Sequence, residues 1–85
     1  MGKKIQTQKN LNLTLKLADY ISENPHIEAE IPVGASYVFF SANDQELNKV
    51  NLELAKSLKK EGKVVVKAQE VNDKKNPWKF VLFTP

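Results

Sequence analysis

The chain has 85 residues, of which 41% are hydrophobic and 27% are charged, so it can build one modest core and is not disordered by composition. It contains no cysteine, which excludes disulfides and thiolate metal sites. The net charge of +3 suits a solvated surface and also permits weak attraction to nucleic acid. The length predicts a single domain over residues 1–85.

The first predicted element is a helix whose sequence begins like a strand. Residues 11–17, LNLTLKL, carry a leucine at every second position, which is typical of a half-buried strand. They continue into ADYISEN without turn residues, however, and apolar side chains then recur at helical spacing. One stripe holds Leu11, Leu15 and Ala18, and the adjoining stripe holds Leu13, Leu17, Tyr20 and Ile21. With Thr7 as N-cap and Pro25 as the end, we predict a helix with a wide apolar face, followed by a linker over residues 25–35.

A strand and a second helix come next. Residues 36–40, SYVFF, carry β-branched and aromatic side chains on both faces, as in a central strand. Residues 42–61 predict a helix with Asn43 as N-cap, Glu46 as its capping-box partner and Gly62 as its left-handed end. Its apolar stripe comprises Leu47, Val50, Leu54, Ala55 and Leu58.

Two further strands complete the predicted fold. They cover residues 63–71 and residues 78–83, with the polar turn NDKKNP between them. A strand–helix–strand unit makes a right-handed crossover with parallel strands, and the short turn after it implies an antiparallel hairpin. We therefore predict an α/β domain with a small mixed three-stranded sheet and the element order α-β-α-β-β.

The spacing of several short motifs over residues 10–68 resembles a family of short, uncharacterised bacterial and archaeal proteins. The motifs are Asn10-Leu11 with Tyr20, Pro25-x-Ile27, Ile31-Pro32 with Ala35, Val38-Phe39, Asp44 with Glu46-Leu47, Asn51-Leu52-x-Leu54-Ala55 and Gly62-Lys63-x-Val65-Val66. This family has no assigned activity. The resemblance therefore implies a prokaryotic domain of unknown function and carries over no catalytic or binding residue.

Few residues are of the kinds that support chemistry. His26 is the single histidine, and without cysteine it does not make a usual zinc site. The paired carboxylates Glu28 and Glu30 suit acid–base work in principle, but in a polar linker we expect them to face water. Asn43 and Asp44 lie where α/β sheets often bind ligands, and we interpret them as helix caps. We therefore predict no enzyme, no cofactor and no metal site.

Both faces of the predicted sheet are apolar, which points to association. On the first and last strands the alternation separates Tyr37, Phe39, Phe80 and Leu82 from Val38, Phe40, Val81 and Phe83. Two helices on one face would leave the other bare, so either the first helix or another chain covers it. We expect a non-enzymatic, self-associating interaction module, most simply a homodimer, with an unidentified protein as the other possible partner. The expected interaction residues are Leu13, Leu17, Val81 and Phe83.

Nucleic-acid binding is the alternative function. Lysines are concentrated in the C-terminal half beside an aromatic strand, an arrangement that holds phosphates and stacks bases on some sheets. The residues concerned are Lys63, Lys67, Lys74, Lys75, Lys79 and Trp78. The chain has no arginine, which removes the commonest base-reading side chain, so we favour Trp78, Phe80 and Leu82 as core residues.

We expect a cytoplasmic protein that does not enter a membrane. No apolar segment follows the lysines of residues 1–10, and no apolar run approaches the length of a membrane span.

Overall fold

A computed structural model describes residues 1–84 and contains the predicted elements in the predicted order. They are helix α1 (Lys3–Glu23), strand β1 (Ser36–Ser41), helix α2 (Gln45–Lys60), strand β2 (Val65–Glu70) and strand β3 (Trp78–Leu82). A 3₁₀ helix (Pro25–Glu30), which was not predicted, lies between α1 and β1. The strands form a three-stranded sheet in the order β1-β2-β3, in which β1 and β2 are parallel and β2 and β3 are antiparallel. The predicted fold class and connectivity are confirmed.

The central strand is β2, so the prediction of a central strand at residues 36–40 is wrong. Strand β1 is at the edge, and asparagines of α2 bind outward backbone groups in its C-terminal half. Asn48 accepts a hydrogen bond of 2.7 Å from the Ser41 N–H and donates one of 2.7 Å to the Ser41 carbonyl. Asn51 donates one of 2.8 Å to the Phe39 carbonyl. In this half of the edge, α2 thus takes the place of the neighbouring strand that the apolar sequence of β1 suggested.

The core consists of two clusters, one on each face of the sheet. The first cluster comprises Leu13, Leu17, Phe39, Leu47, Ala68 and Trp78, and the second comprises Val38, Phe40, Ala55 and Val65. Helix α1 packs on the first face. Helix α2 contributes Leu47 to the first cluster and Ala55 to the second, so it spans both layers at the β1 edge. Neither face is therefore wholly bare, and the half of the second face near β3 has the least cover.

Helix α1 buries one leucine stripe and exposes the other. Leu13 and Leu17 are buried, whereas Leu11 and Leu15 are exposed, so the expected wide apolar face is wrong. Residues two apart on a helix lie about 200° apart around its axis, so alternating leucines fall on opposite sides. The helix also begins before Thr7, with Gly2 at the N-cap position and no side-chain cap.

Helix α2 is capped by Asp44, and the prediction of Asn43 with Glu46 is wrong. The Leu47 N–H donates a hydrogen bond of 3.0 Å to Asp44 Oδ1, and Lys9 Nζ donates one of 2.7 Å to Oδ2. The pKa of the Asp44 carboxyl is lowered mainly by the hydrogen bond from Lys9 and further by the one from the Leu47 N–H. Gly62 ends this segment with φ +80°, as predicted.

The segment between α1 and β1 is more ordered than a linker. Its first half is the 3₁₀ helix, and the isoleucines Ile27 and Ile31 are both buried. Their burial ties this segment to the core, and both side chains line hollows that β3 also borders. No helix among residues 1–84 is long and apolar enough to cross a bilayer.

Candidate interaction surface

The sheet ends at β3, whose outer edge is the main feature of the candidate site. The Phe83 N–H donates a hydrogen bond of 2.9 Å to the Val65 carbonyl, and the Val71 N–H donates one of 2.8 Å to the Pro77 carbonyl. The backbone groups of the odd-numbered residues 77–83 therefore point toward β2. Since the direction alternates along a strand, the backbone groups of Trp78, Phe80 and Leu82 point outward. Within residues 1–84 no further strand pairs with them. An edge of this kind is a template for another strand.

Exposed apolar side chains accompany this edge. Val81 is 56% exposed and Leu82 is 51% exposed. They alternate, so Val81 belongs to the second face and Leu82 to the first. The prediction of Leu82 as a core residue is wrong. Leu82 pairs with Val66 at the end of the sheet and lines an open hollow together with Ile31 and Pro32.

A groove lies along β3 on the first face. It has a volume of about 630 Å³ and lies between β3, the end of α1 and the 3₁₀ helix. Its apolar lining includes Tyr20, Ile27, Trp78 and Phe80. His26, Asn24, Glu30 and Asn76 add polar groups to the lining. The open backbone edge thus borders a partly apolar groove.

The four predicted interaction residues have different environments. Leu13 and Leu17 are buried inside the protomer, where they contact the sheet rather than a partner. Phe83 is half-buried against the second cluster. Val81 alone among them is exposed. Of these four residues, only Val81 on β3 is therefore open to a partner.

Trp78 is the residue that the nucleic-acid alternative needed for base stacking. It is only 6% exposed and meets Phe39 edge-on, with ring centroids 6.0 Å apart and an angle of 71° between the rings. Its ring is thus part of the first cluster and presents no face to a base. The core interpretation holds for this residue.

The lysines of that alternative are divided along the sheet. Lys63 precedes β2, and Lys74 and Lys75 lie in the turn after it, so they are at opposite ends of this strand. Lys67 and Lys79 lie between them on the second face, and Lys67 Nζ is 4.8 Å from the centroid of the Phe40 ring. These five lysines therefore do not converge on one point.

Charge is distributed unevenly along the chain. Residues 17–48 contain six acidic residues and no lysine, whereas residues 49–85 contain nine lysines and four acidic residues. The acidic side chains Glu28 and Glu30 are exposed on the 3₁₀ helix, at the first face. On the second face, a groove of about 430 Å³ beside α2 is lined by Lys49 and Lys67 without a carboxylate. This groove on the second face is thus basic.

The polar groups at the C-terminal end of β1 are paired with one another. Besides the Lys9–Asp44 pair, Lys16 Nζ lies 3.3 Å from Glu70 Oε2, and Ser41 Oγ lies 3.4 Å from Glu70 Oε1. Among residues 1–84 no three His, Asp or Glu side chains are grouped to hold a metal ion. This end of the sheet functions as a structural junction.

The residue that the sequence reasoning missed is Asn51. Its side chain is fully buried, and Asn51 and Asn10 exchange hydrogen bonds of 2.8 and 3.2 Å. Gln6 donates a further bond of 2.9 Å to Asn51 Oδ1. With its bond to the Phe39 carbonyl, Asn51 joins α1, α2 and β1 and satisfies its own buried amide. The available signal was its spacing of four residues from both Leu47 and Ala55.

Comparison with known proteins identifies a family. Residues 5–76 match a family described as "Family of unknown function (DUF5647)". No curated protein and no solved structure matches the chain. The matched range is wider than the resemblance seen in residues 10–68, and it ends before β3, so the open edge lies outside it. Because the match covers most of the sequence, the chain belongs to this family of unknown function.

Proposed function

We propose that this domain is a non-enzymatic self-association module that forms a homodimer through the open edge of β3. The observation that carries the proposal is the contrast between the two edges of the sheet. Side chains of Asn48 and Asn51 bind three outward backbone groups of β1, namely both groups of Ser41 and the Phe39 carbonyl. The outward backbone of β3 has no such partner within residues 1–84 and borders exposed Val81 and Leu82. The absence of cysteine fits work in a reducing compartment such as the cytoplasm.

The physical argument rests on backbone pairing. Strand addition at a sheet edge gives affinity through main-chain hydrogen bonds and specificity through alternating side chains. Natural edges are blunted by charge or proline, and β3 carries one charge, Lys79, and no proline between residues 78 and 82. The β3 strand of a second copy supplies both the main-chain hydrogen bonds and the matching side chains, because it has the same outward backbone groups and the same exposed apolar residues.

A charge at Val81 tests this surface. We expect the wild-type protein to be a dimer at micromolar concentration and Val81→Lys to be a folded monomer. The new lysine places like charges across the two-fold axis, or buries a charge without a partner. Light scattering over a dilution series reports the mass, and circular dichroism reports the fold.

Leu15→Lys is the matched control, because Leu15 is 58% exposed and lies on the outer side of α1. It adds the same charge at similar exposure, so it should leave the dimer intact. A wild-type mass near 9.6 kDa at every concentration would refute the proposal. So would loss of the dimer in Leu15→Lys but not in Val81→Lys.

A second candidate function is nucleic-acid binding by the basic groove on the second face. The groove lined by Lys49 and Lys67 supports it, with Lys79 on the same face of the sheet. Because Trp78 is buried, such binding would rest on phosphate contacts and would be insensitive to sequence.

Salt dependence tests the second candidate. If it is right, retention on single-stranded DNA should weaken steeply with added salt, because bound lysines displace counterions. Lys67→Gln with Lys79→Gln should lower the slope of log K against log salt by about 0.7 for each lysine in contact. Lys3→Gln with Lys4→Gln removes the same charge from α1 and should leave the slope unchanged. No retention at low salt would eliminate this candidate.

A further inference from the structure

The side-chain pattern of β3 selects one symmetric arrangement of two β3 strands. We infer that the two-fold axis of the homodimer passes through Phe80, and that Leu82 of each copy enters the groove beside Trp78 of the other. This inference rests on the proposed self-association and adds its register. The result is one continuous sheet through both copies.

The backbone supplies the first reason. In an antiparallel pair, two opposed residues can exchange hydrogen bonds only if the backbone groups of both point toward the other strand. In β3 the residues with outward backbone groups are Trp78, Phe80 and Leu82. With Phe80 on the axis, Trp78 is opposed to Leu82 of the second copy and Phe80 to its own equivalent. All three outward residues of each strand are then paired. An axis at Lys79 or Val81 leaves one of them outside the paired strands.

The side chains on the first face supply the second reason. In this register Leu82 of one copy lies opposite Trp78 of the other, at the groove lined by Tyr20, Ile27 and Phe80. Leu82 is half exposed in the protomer, so its remaining apolar surface becomes buried there. The two Phe80 rings meet at the axis. An exposed apolar side chain and an apolar groove are thus brought together twice in each dimer.

The charges on the second face supply the third reason. With Phe80 on the axis, Lys79 is opposed to Val81 of the second copy, and the two Lys79 side chains are kept apart. An axis at Lys79 would place the two ammonium groups directly opposite each other, which destabilises a strand pair. Incomplete backbone pairing disfavours both neighbouring registers, and charge repulsion adds to this for the one centred on Lys79.

Engineered cysteines distinguish the registers, because the chain has no cysteine of its own. In the inferred register residues 79 and 81 of different copies form a non-hydrogen-bonded pair with Cα atoms about 4.5 Å apart, which suits a disulfide. The two Val81 residues would be about 8 Å apart, beyond the range of a disulfide. Lys79→Cys mixed with Val81→Cys, each carrying a tag of different mass, should therefore give a covalent heterodimer on mild oxidation. Each variant alone should run as a monomer on a non-reducing gel.

The outcomes separate the register from the association itself. Rapid cross-linking of Val81→Cys alone would place the axis at Val81, and cross-linking of Lys79→Cys alone would place it at Lys79; either overturns the inferred register. A dimer by light scattering without any cross-link would overturn pairing at the edge while leaving self-association in place. A monomer at every concentration would overturn the proposed function as well.

The groove is tested by truncating the side chain that enters it. Leu82→Ala should weaken the dimer roughly tenfold or more, because two partly exposed leucine side chains lose their burial in each dimer. Leu15→Ala truncates a leucine of similar exposure on the outer side of α1 and should leave the dissociation constant unchanged. Equal dissociation constants for Leu82→Ala and the wild type would overturn the role assigned to the groove.

Discussion

Replacing Trp78 by alanine is expected to cost roughly 3–5 kcal/mol of unfolding free energy. The indole is buried in the first cluster and packs edge-on against Phe39 at 6.0 Å. Its removal leaves a large cavity between α1 and the sheet. Because small domains are stable by only about 5–15 kcal/mol, this loss takes much of the stability of the fold. Denaturant melts monitored by circular dichroism measure it.

Trp78→Phe is the conservative comparison. A phenyl ring keeps an aromatic contact with Phe39 and fills part of the space, so its loss should be clearly smaller. A Trp78→Ala protein with the stability of the wild type would contradict the core role of this residue. If that variant also lost retention on nucleic acid, Trp78 would instead act at a surface.

Leu17→Ala should cost roughly 2–5 kcal/mol, as expected for a leucine removed from a packed core. Leu17 is 4% exposed and contacts the sheet from the buried side of α1. The measurement is the shift of the denaturant midpoint at constant slope, which reports a change in stability rather than in the unfolded state.

Leu15→Ala is the matched control for this prediction. It makes the same substitution in the same helix, but on the exposed side, and alanine is at least as good a helix former as leucine. Its effect should therefore stay within about 0.5 kcal/mol. Equal losses for Leu15→Ala and Leu17→Ala would mean that α1 does not pack on the sheet by the Leu13 and Leu17 side.

This pair of leucines also resolves the double character of LNLTLKL. The same alternation that suggested a strand gives, in a helix, two opposite leucine stripes of which one contacts the sheet. The sequence shows both stripes as apolar and equal. Only the position of the sheet distinguishes them, because burial depends on what lies beside the helix.

The candidate site was predictable in part for the same reason. Val81 could be chosen from the sequence, because the alternation of side chains assigns it to the sheet face that two helices on the other face would leave uncovered. The open edge could not be chosen, because strand order decides it. With β2 in the centre, β3 became an unpaired edge, and α2 closed the C-terminal half of the β1 edge through Asn48 and Asn51.

Local sequence by itself determines the type and order of the elements in this protein, the crossover and the hairpin. Three such features depend only on near neighbours in the sequence and could therefore be predicted without the tertiary structure. They are the helical periodicity in residues 42–61, the turn at NDKKNP and the positive φ of Gly62. The central position of β2, the core position of Trp78 and the buried amides around Asn51 depend on contacts between distant segments. Packing and hydrogen bonding across the fold settle such choices, because several local arrangements of nearly equal free energy compete until the segments meet.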